Sequence, residues 1–233
     1  LAISVGLELE TYVVRERRTM ALQHARDLTA LGLGAMLHDV GKTALPGDML
    51  HVHESDPQAA DDAYRTHPKR GYDLLRNTRL PATARQVVLG HHQRWDGGGF
   101  PKLPKAPPER QVDPAPRPAI HVFSRIVAAA NAFENLLGTS GGWSGDEARD
   151  AAPLCAALHA FAGAGYDGRF DPVVRDMLLR RVPPFPLGSR VVLSDGRAAV
   201  VIAPSLEQPC RPTVRLLSDA GESLDLQHRP DLH

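Results

Sequence analysis

Five residues of this 233-residue chain stand in spacings that suit metal ligation: the adjacent pair His38-Asp39, then His67, then the adjacent pair His91-His92. Neighbours on a helix point about 100° apart, so an adjacent pair can offer one side chain to each of two metal ions, or let one carboxylate bridge them. Mixed imidazole and carboxylate donors suit Fe, Mn, Zn or Ni, and the lack of thiolate argues against a structural zinc knuckle. Two ions about 3.5 to 4 Å apart would supply bound hydroxide at neutral pH and direct coordination of a substrate's oxygens, the parts of a metal-assisted hydrolysis. The other histidines, His24, His51, His53, His121, His159, His228 and His233, read as surface or internally satisfied side chains.

The elements that must position these residues are mostly helical. From Ala2 to about Met36 the apolar positions Val5, Leu9, Tyr12, Val13, Leu28, Leu31, Leu33 recur with a helical period, which fits two helices. Residues 59 to 78 and 82 to 94 predict two more, the second stopped by Asp96 and the glycines 97 to 99. Seven prolines between residues 101 and 118 exclude an ordinary helix or central strand there and predict an extended surface loop. Ile120, Phe123, Ile126, Val127, Phe133 and Leu137 predict a mostly buried helix over 119 to 137. Ser144 to Glu147 reads as a capping box opening a helix through Leu158, and a further helical run, FDPVVRDMLLRRV, precedes the prolines at 183, 184 and 186. Beyond Arg190 the pattern turns to β, with two runs flanking Asp195-Gly196, a hairpin signal, and a third strand in PTVRLLSDAG.

Composition narrows the classes. Lys plus Arg number 27 and Asp plus Glu 27, so no net field gathers DNA or an anionic membrane, and no basic patch stands out locally. No apolar run approaches the roughly 20 residues of a membrane span, and no basic-then-apolar leader opens the chain. Cys155 and Cys210 stand 55 positions apart without metal or redox spacing, which fits a reducing compartment and predicts a cytoplasmic location for this segment. The opening Leu1 reads as a domain cut from something longer.

Four motifs then occur in a telling order. HDVGK, HPKRG, HHQRWDGGGFP and SRIVAAANAFENL resemble HD-x-G-K, H-P-x-x-G, H-H-E-R-x-D-G-x-G-Y-P and A-R-I-x-x-V-A-D-x-F-D-A-L of the HD-GYP family, metal-dependent phosphodiesterases of the HD superfamily. The resemblance covers roughly residues 1 to 183, and PLGSRVVLSDGRAAVVI looks like the small β extension of some members. It implies a mainly α fold: an HD-superfamily helical bundle over 1–183 with a small barrel-like β extension over 184–233. It also implies hydrolysis of cyclic di-GMP, a bacterial second messenger, with two divalent transition metals, Fe or Mn, as cofactors. By the same resemblance Asp39 bridges two metals, and His38, His67, His91 and His92 each ligate one. Lys42 holds a phosphate oxygen as a point charge, so that Asp39 and Lys42 carry catalysis. Asp96, Gly97, Gly99, Phe100 and Pro101 form a substrate loop, with Phe100 where the family has Tyr. Asp96 either orients a ligand histidine or stabilises its own turn.

Three departures accompany the resemblance. Asn131 stands where the family has its last metal-binding Asp, making it a weakened ligand. Ser140 and Trp143 stand where basic phosphate-gripping side chains are expected. The Glu and His that some members carry on a first helix would fall at or before Leu1. The second reading is therefore a degenerate signalling module that keeps metal and contacts a partner, such as a diguanylate cyclase domain, without turnover.

Overall fold

The N-terminal stretch predicted as two helices folds as four short ones in the computed structural model, which describes residues 1–46, 62–102, 120–140, 152–205, 207–218 and 221–232. Helices α1 (Ala2–Glu8) and α2 (Glu10–Glu16) join at Leu9, and α3 (Leu22–Ala25) and α4 (Thr29–Leu37) follow. The apolar period runs through all four, so it could not mark the breaks. The breaks after α2 and before α4 are made by polar side chains turned back on the chain. Arg17 is buried and donates to the carbonyls of Ala25 at 2.8 Å and Asp27 at 3.0 Å, and the Asp27 carboxylate accepts from the Thr29 amide at the start of α4.

Helix α5 (His67–Leu75) opens behind a 3₁₀ turn, Tyr64–Thr66, with Pro68 in the first turn, where a missing N–H costs nothing. The N-terminal part of the helix predicted over 59–78 lies outside the described residues. Helix α6 (Ala82–Gly90) stops four residues earlier than predicted, because the Gln93 amide returns to the Gly90 carbonyl and turns the chain at His91-His92. The proline-rich segment 103–118 lies outside the described residues, as does the Ser144 capping box. Helix α7 (Val122–Ser140) carries the long buried stripe, and α8 (Ala152–Ala162) and α9 (Pro172–Arg181) complete the helices.

The chain divides into two units, one formed by Leu1–Asn135 with Ala164–Arg181, the other by Leu136–Gly163 with Val182–His233. In the first unit α4 packs on α6, α5 on α6, and α1 on both α4 and α9, around Val5, Val13, Leu31, Val87, Phe123, Ile126 and Leu178. Burial of these side chains contributes roughly 1.5–3 kcal/mol each. A polar network centred on buried Asp171 stitches α2, α7 and α9 together. The Arg125 guanidinium donates to Glu16 at 2.8 Å and to Asp171 and the Tyr12 hydroxyl at 3.1 Å, while Tyr12 donates to Asp171 at 2.5 Å.

The second unit contains a four-stranded antiparallel sheet, β1 (Arg190–Val192), β2 (Ala198–Ala203), β3 (Thr213–Leu216) and β4 (Ser223–Asp225), in the order β1-β2-β3-β4. Asp195-Gly196 forms the predicted hairpin turn, Gly196 at a φ of +86°. The barrel-like expectation is not confirmed: among the described residues, strands of three to six residues pair only with their sequence neighbours in an antiparallel meander, leaving β1 and β4 as edges. Its core of Leu193, Ala199, Val201, Val214, Leu216 and Leu224 is closed by Leu226 and Leu232 instead of by strand pairing. Strand β4 goes beyond the three strands expected, its three residues being too short to show an alternation.

Candidate metal centre

Three helix ends converge to build the centre. His38 caps the C-terminus of α4, and Asp39 leads into a 3₁₀ turn, Val40–Ala44, that carries Lys42. His67 is the first residue of α5, and His91 caps the C-terminus of α6 with His92 directly after it. The turn after Asp39 can reach α5 only because residue 41 has no side chain. A Cβ at Gly41 would lie 1.9 Å from the His67 carbonyl oxygen and 2.5 Å from the Gly71 amide nitrogen.

That approach brings Asp39 Oδ1 to 3.3 Å from His67 Nε2 and 3.5 Å from His91 Nε2, which are themselves 3.2 Å apart. Its other oxygen, Oδ2, lies 2.7 Å from Lys42 Nζ and 3.3 Å from His38 Nε2. The ring protons are committed elsewhere: Nδ1 of His38, His67 and His91 lies 2.7–2.8 Å from the carbonyl oxygen three residues earlier. A carbonyl only accepts, so each Nδ1 donates, and in the neutral ring that tautomer leaves the lone pair on Nε2. Asp39 Oδ1 and His92 Nε2 are buried with no hydrogen-bond partner. Lone pairs of Asp39, His67, His91 and His92 thus all fall within 4.8 Å of one another. Acceptors facing acceptors in a buried site repel unless a cation or a shared proton lies among them. This donor set of three imidazoles and one carboxylate fits a divalent metal, with second-sphere carbonyls fixing the tautomers.

Electrostatics agree. Burial disfavours protonation of His91, whose pKa falls to about 4, and of His92, which is pushed well below the usual imidazole value, so both are neutral ligands at pH 7. Burial opposes the Asp39 charge too, and the Lys42 ammonium 2.7 Å from Oδ2 offsets that cost. Lys42 is likewise desolvated, yet the Asp39 carboxylate overcomes that penalty and raises its pKa.

The remaining predicted residues divide. Phe100 is buried, its ring stacked on His92 with centroids 4.5 Å apart, and its amide donates to the His92 carbonyl at 3.2 Å. Gly99 is required by close packing, since a Cβ there would lie 2.3 Å from the His92 oxygen. Gly97 takes a φ of +81°. Asp96 accepts from the Gly98 amide at 2.8 Å and pairs with Arg94, which is the turn-stabilising alternative. Pro101 is linked to the centre through its carbonyl, which accepts from the buried Gln93 side chain. Asn131 is half-buried on α7 and Ser140 ends that helix, while Trp143 lies outside the described residues.

Two contributors escape a motif reading. Tyr64 is buried, meets His67 edge-on at 4.8 Å between ring centroids, and lies under Lys42 Nζ at 5.5 Å. Gln93 pins the loop end. A signal existed for Tyr64: it stands three residues before His67, one helical turn, and its carbonyl receives the His67 proton.

Comparison with known proteins places this geometry. The HD domain family matches residues 9–170. The cyclic di-GMP phosphodiesterase response regulator RpfG of Xanthomonas campestris pv. campestris is 31% identical over 66% of this chain and 36% of that protein. A cyclic di-GMP phosphodiesterase of Pseudomonas aeruginosa is 26% identical over 97% of this chain and 47% of that protein. The 3'3'-cGAMP-specific phosphodiesterase 2 of Vibrio cholerae is 31% identical over 43% of this chain and 17% of that protein. A solved structure, Bd1817, an HDG"Y"P protein from Bdellovibrio bacteriovorus, aligns over 76% of this chain and 50% of that one, with a TM-score of 0.42 and 17% identity. The chain spans between about a third and a half of the length of the first two relatives. Among the described residues no helix is long and apolar enough to cross a membrane. The match to the HD domain extends over most of the chain and encloses every residue of the cluster, and the chain belongs to that family, in its HD-GYP branch.

Proposed function

We propose that this chain is a metal-dependent phosphodiesterase that opens cyclic di-GMP to the linear dinucleotide. The observation that carries the reading is the convergence of the Asp39, His67, His91 and His92 lone pairs within 4.8 Å, with the ring protons of His67 and His91 held by backbone carbonyls. The names of the Xanthomonas and Pseudomonas relatives support the substrate. The ligands are His38, Asp39, His67, His91 and His92, Asn131 is a weakened further ligand, and the ions are two, Fe or Mn. When bound, such ions supply Lewis acidity toward the phosphate oxygens and an acidified water. Asp39 offers an oxygen to each side of the centre, and Lys42, charged at neutral pH, holds a non-bridging oxygen. Phe100, flat on His92, walls the site on the loop side and keeps water from that face of the ring. Asp96, Gly97, Gly99 and Pro101 hold that loop. Residues 1–183 form the chemical domain and 184–233 an extension. The chain works in the cytoplasm, where its two free cysteines stay reduced, and a diguanylate cyclase or other signalling domain is the partner class.

The test is elemental analysis paired with chromatography of the linear product from cyclic di-GMP, after anaerobic loading with iron or manganese. The expected result is metal-dependent turnover that vanishes in His38→Ala/Asp39→Ala and rises in Asn131→Asp. Full metal occupancy with no turnover in either the parent or Asn131→Asp overturns the enzyme reading in favour of the degenerate module. Less than about 0.2 metal per folded chain overturns the metal centre itself.

A further inference from the structure

We infer that Lys42 is a built-in counter-ion that competes with one of the two metal ions for Asp39, so that the centre fills in two unequal steps. The inference rests on the metal-centre reading and concerns how this chain regulates it. The two oxygens of Asp39 face different surroundings. Oδ1 is buried, accepts no hydrogen bond, and looks onto His67 and His91, with His92 completing the cluster. Every atom on that side is an acceptor, so an ion entering there displaces no protein cation. Oδ2 instead receives Lys42 Nζ at 2.7 Å beside His38 Nε2 at 3.3 Å. Lys42 is well packed there, its side chain 15% exposed and its ammonium above the Tyr64 ring.

Charge makes the asymmetry consequential. Among the described residues the cluster contains a single carboxylate, Asp39, and its other members are imidazoles. One divalent ion on the Oδ1 side leaves a net +1 on ion and carboxylate, and +2 with the ammonium. A second divalent ion on the Oδ2 side, ligated by His38, would raise this to +4 in a partly desolvated site unless Lys42 gives up Asp39. The first ion therefore binds to the protein as it stands, whereas the second must displace Lys42 from Oδ2. Once displaced, the ammonium is available to an anionic phosphate oxygen, so the second ion and an anion favour each other, and by linkage the coupling is reciprocal.

The experiment follows Mn²⁺ binding to the whole chain by the electron paramagnetic resonance signal of the free ion, for the parent, Lys42→Met, Lys42→Gln and Lys42→Arg, with folding checked by circular dichroism. The parent should show one tight and one weaker step. Both neutral variants should tighten the weaker step tenfold or more, the size of a charge-assisted hydrogen bond removed from competition, and change the tight step by less than threefold. Lys42→Arg, which keeps the charge, should resemble the parent. A weaker step that stays within threefold or loosens in a folded neutral variant, or two steps that move equally, overturns the inference while leaving the metal centre intact. No Mn²⁺ uptake by the parent overturns both.

Discussion

Replacing Gly41 by Ala should empty the metal centre with little loss of helix. The added Cβ would sit 1.9 Å from the His67 carbonyl oxygen and 2.5 Å from the Gly71 nitrogen, both backbone atoms that no rotamer change can move aside. Ordinary contact needs about 3.4 Å, so the turn carrying Asp39 and Lys42 must back away from α5 by more than about 1 Å. Asp39 Oδ1 now stands 3.3 Å from His67 Nε2, and metal sites tolerate errors of only about 0.2 Å in ligand distance. Metal affinity should therefore fall at least about 100-fold, beyond the 10- to 100-fold typical of disturbing groups around a ligand. Overpacking against backbone should also cost about 3 kcal/mol of stability, the upper end of the usual range. Gly6→Ala, on α1, is the control, because its Cβ would meet side-chain tips instead of backbone, Leu31 at 2.6 Å and Leu28 at 3.4 Å. The assay is competition of the folded protein with a chromogenic chelator for Mn²⁺ or Zn²⁺, alongside urea unfolding. If Gly41→Ala binds metal within threefold of the parent, the close approach of the turn to α5 does not position Asp39, and the reasoning fails.

Asp171→Ala should destabilise the first unit by about 2 kcal/mol in urea unfolding, because it strips the half-buried Arg125 and Tyr12 of a shared, buried acceptor while Glu16 still pairs with Arg125; a loss below about 1 kcal/mol would refute the network's role. His121 supplies a pH limb. Burial, with the charges of Arg17 and Arg125, lowers its pKa from 6.5 to about 4, and its Nδ1 accepts the Phe123 amide at the start of α7. Because the folded value is the lower one, the unfolded chain takes the proton first. Stability is then complete above about pH 6.5 and is lost as pH falls through 4, by at most about 3 kcal/mol. His121→Asn should flatten that limb of a stability-against-pH curve, and an unchanged slope would remove His121 as its cause.

What can be read along the chain is local. The type of nearly every described element follows from apolar period, and the hairpin at Asp195-Gly196 follows from turn chemistry, because both are properties of neighbouring residues. The candidate ligands stand out because adjacency of His38 with Asp39 and of His91 with His92 is itself a chemical signal. The breaks near Arg17 and Asp27 are hidden, since the side chains that make them bond to carbonyls and amides on the next element while the apolar stripe runs on. β4 is hidden by its shortness, and the open sheet by the fact that closure depends on which edges meet. At the centre, residue types named the ligands, but only the folded backbone decided that Gly41 lets the turn touch α5. It alone decided that Oδ1 of Asp39 looks onto bare lone pairs while Oδ2 is taken by Lys42 over Tyr64. Those relations join residues on three different helix ends, and distance between such ends is set by packing, which no spacing along a single chain encodes.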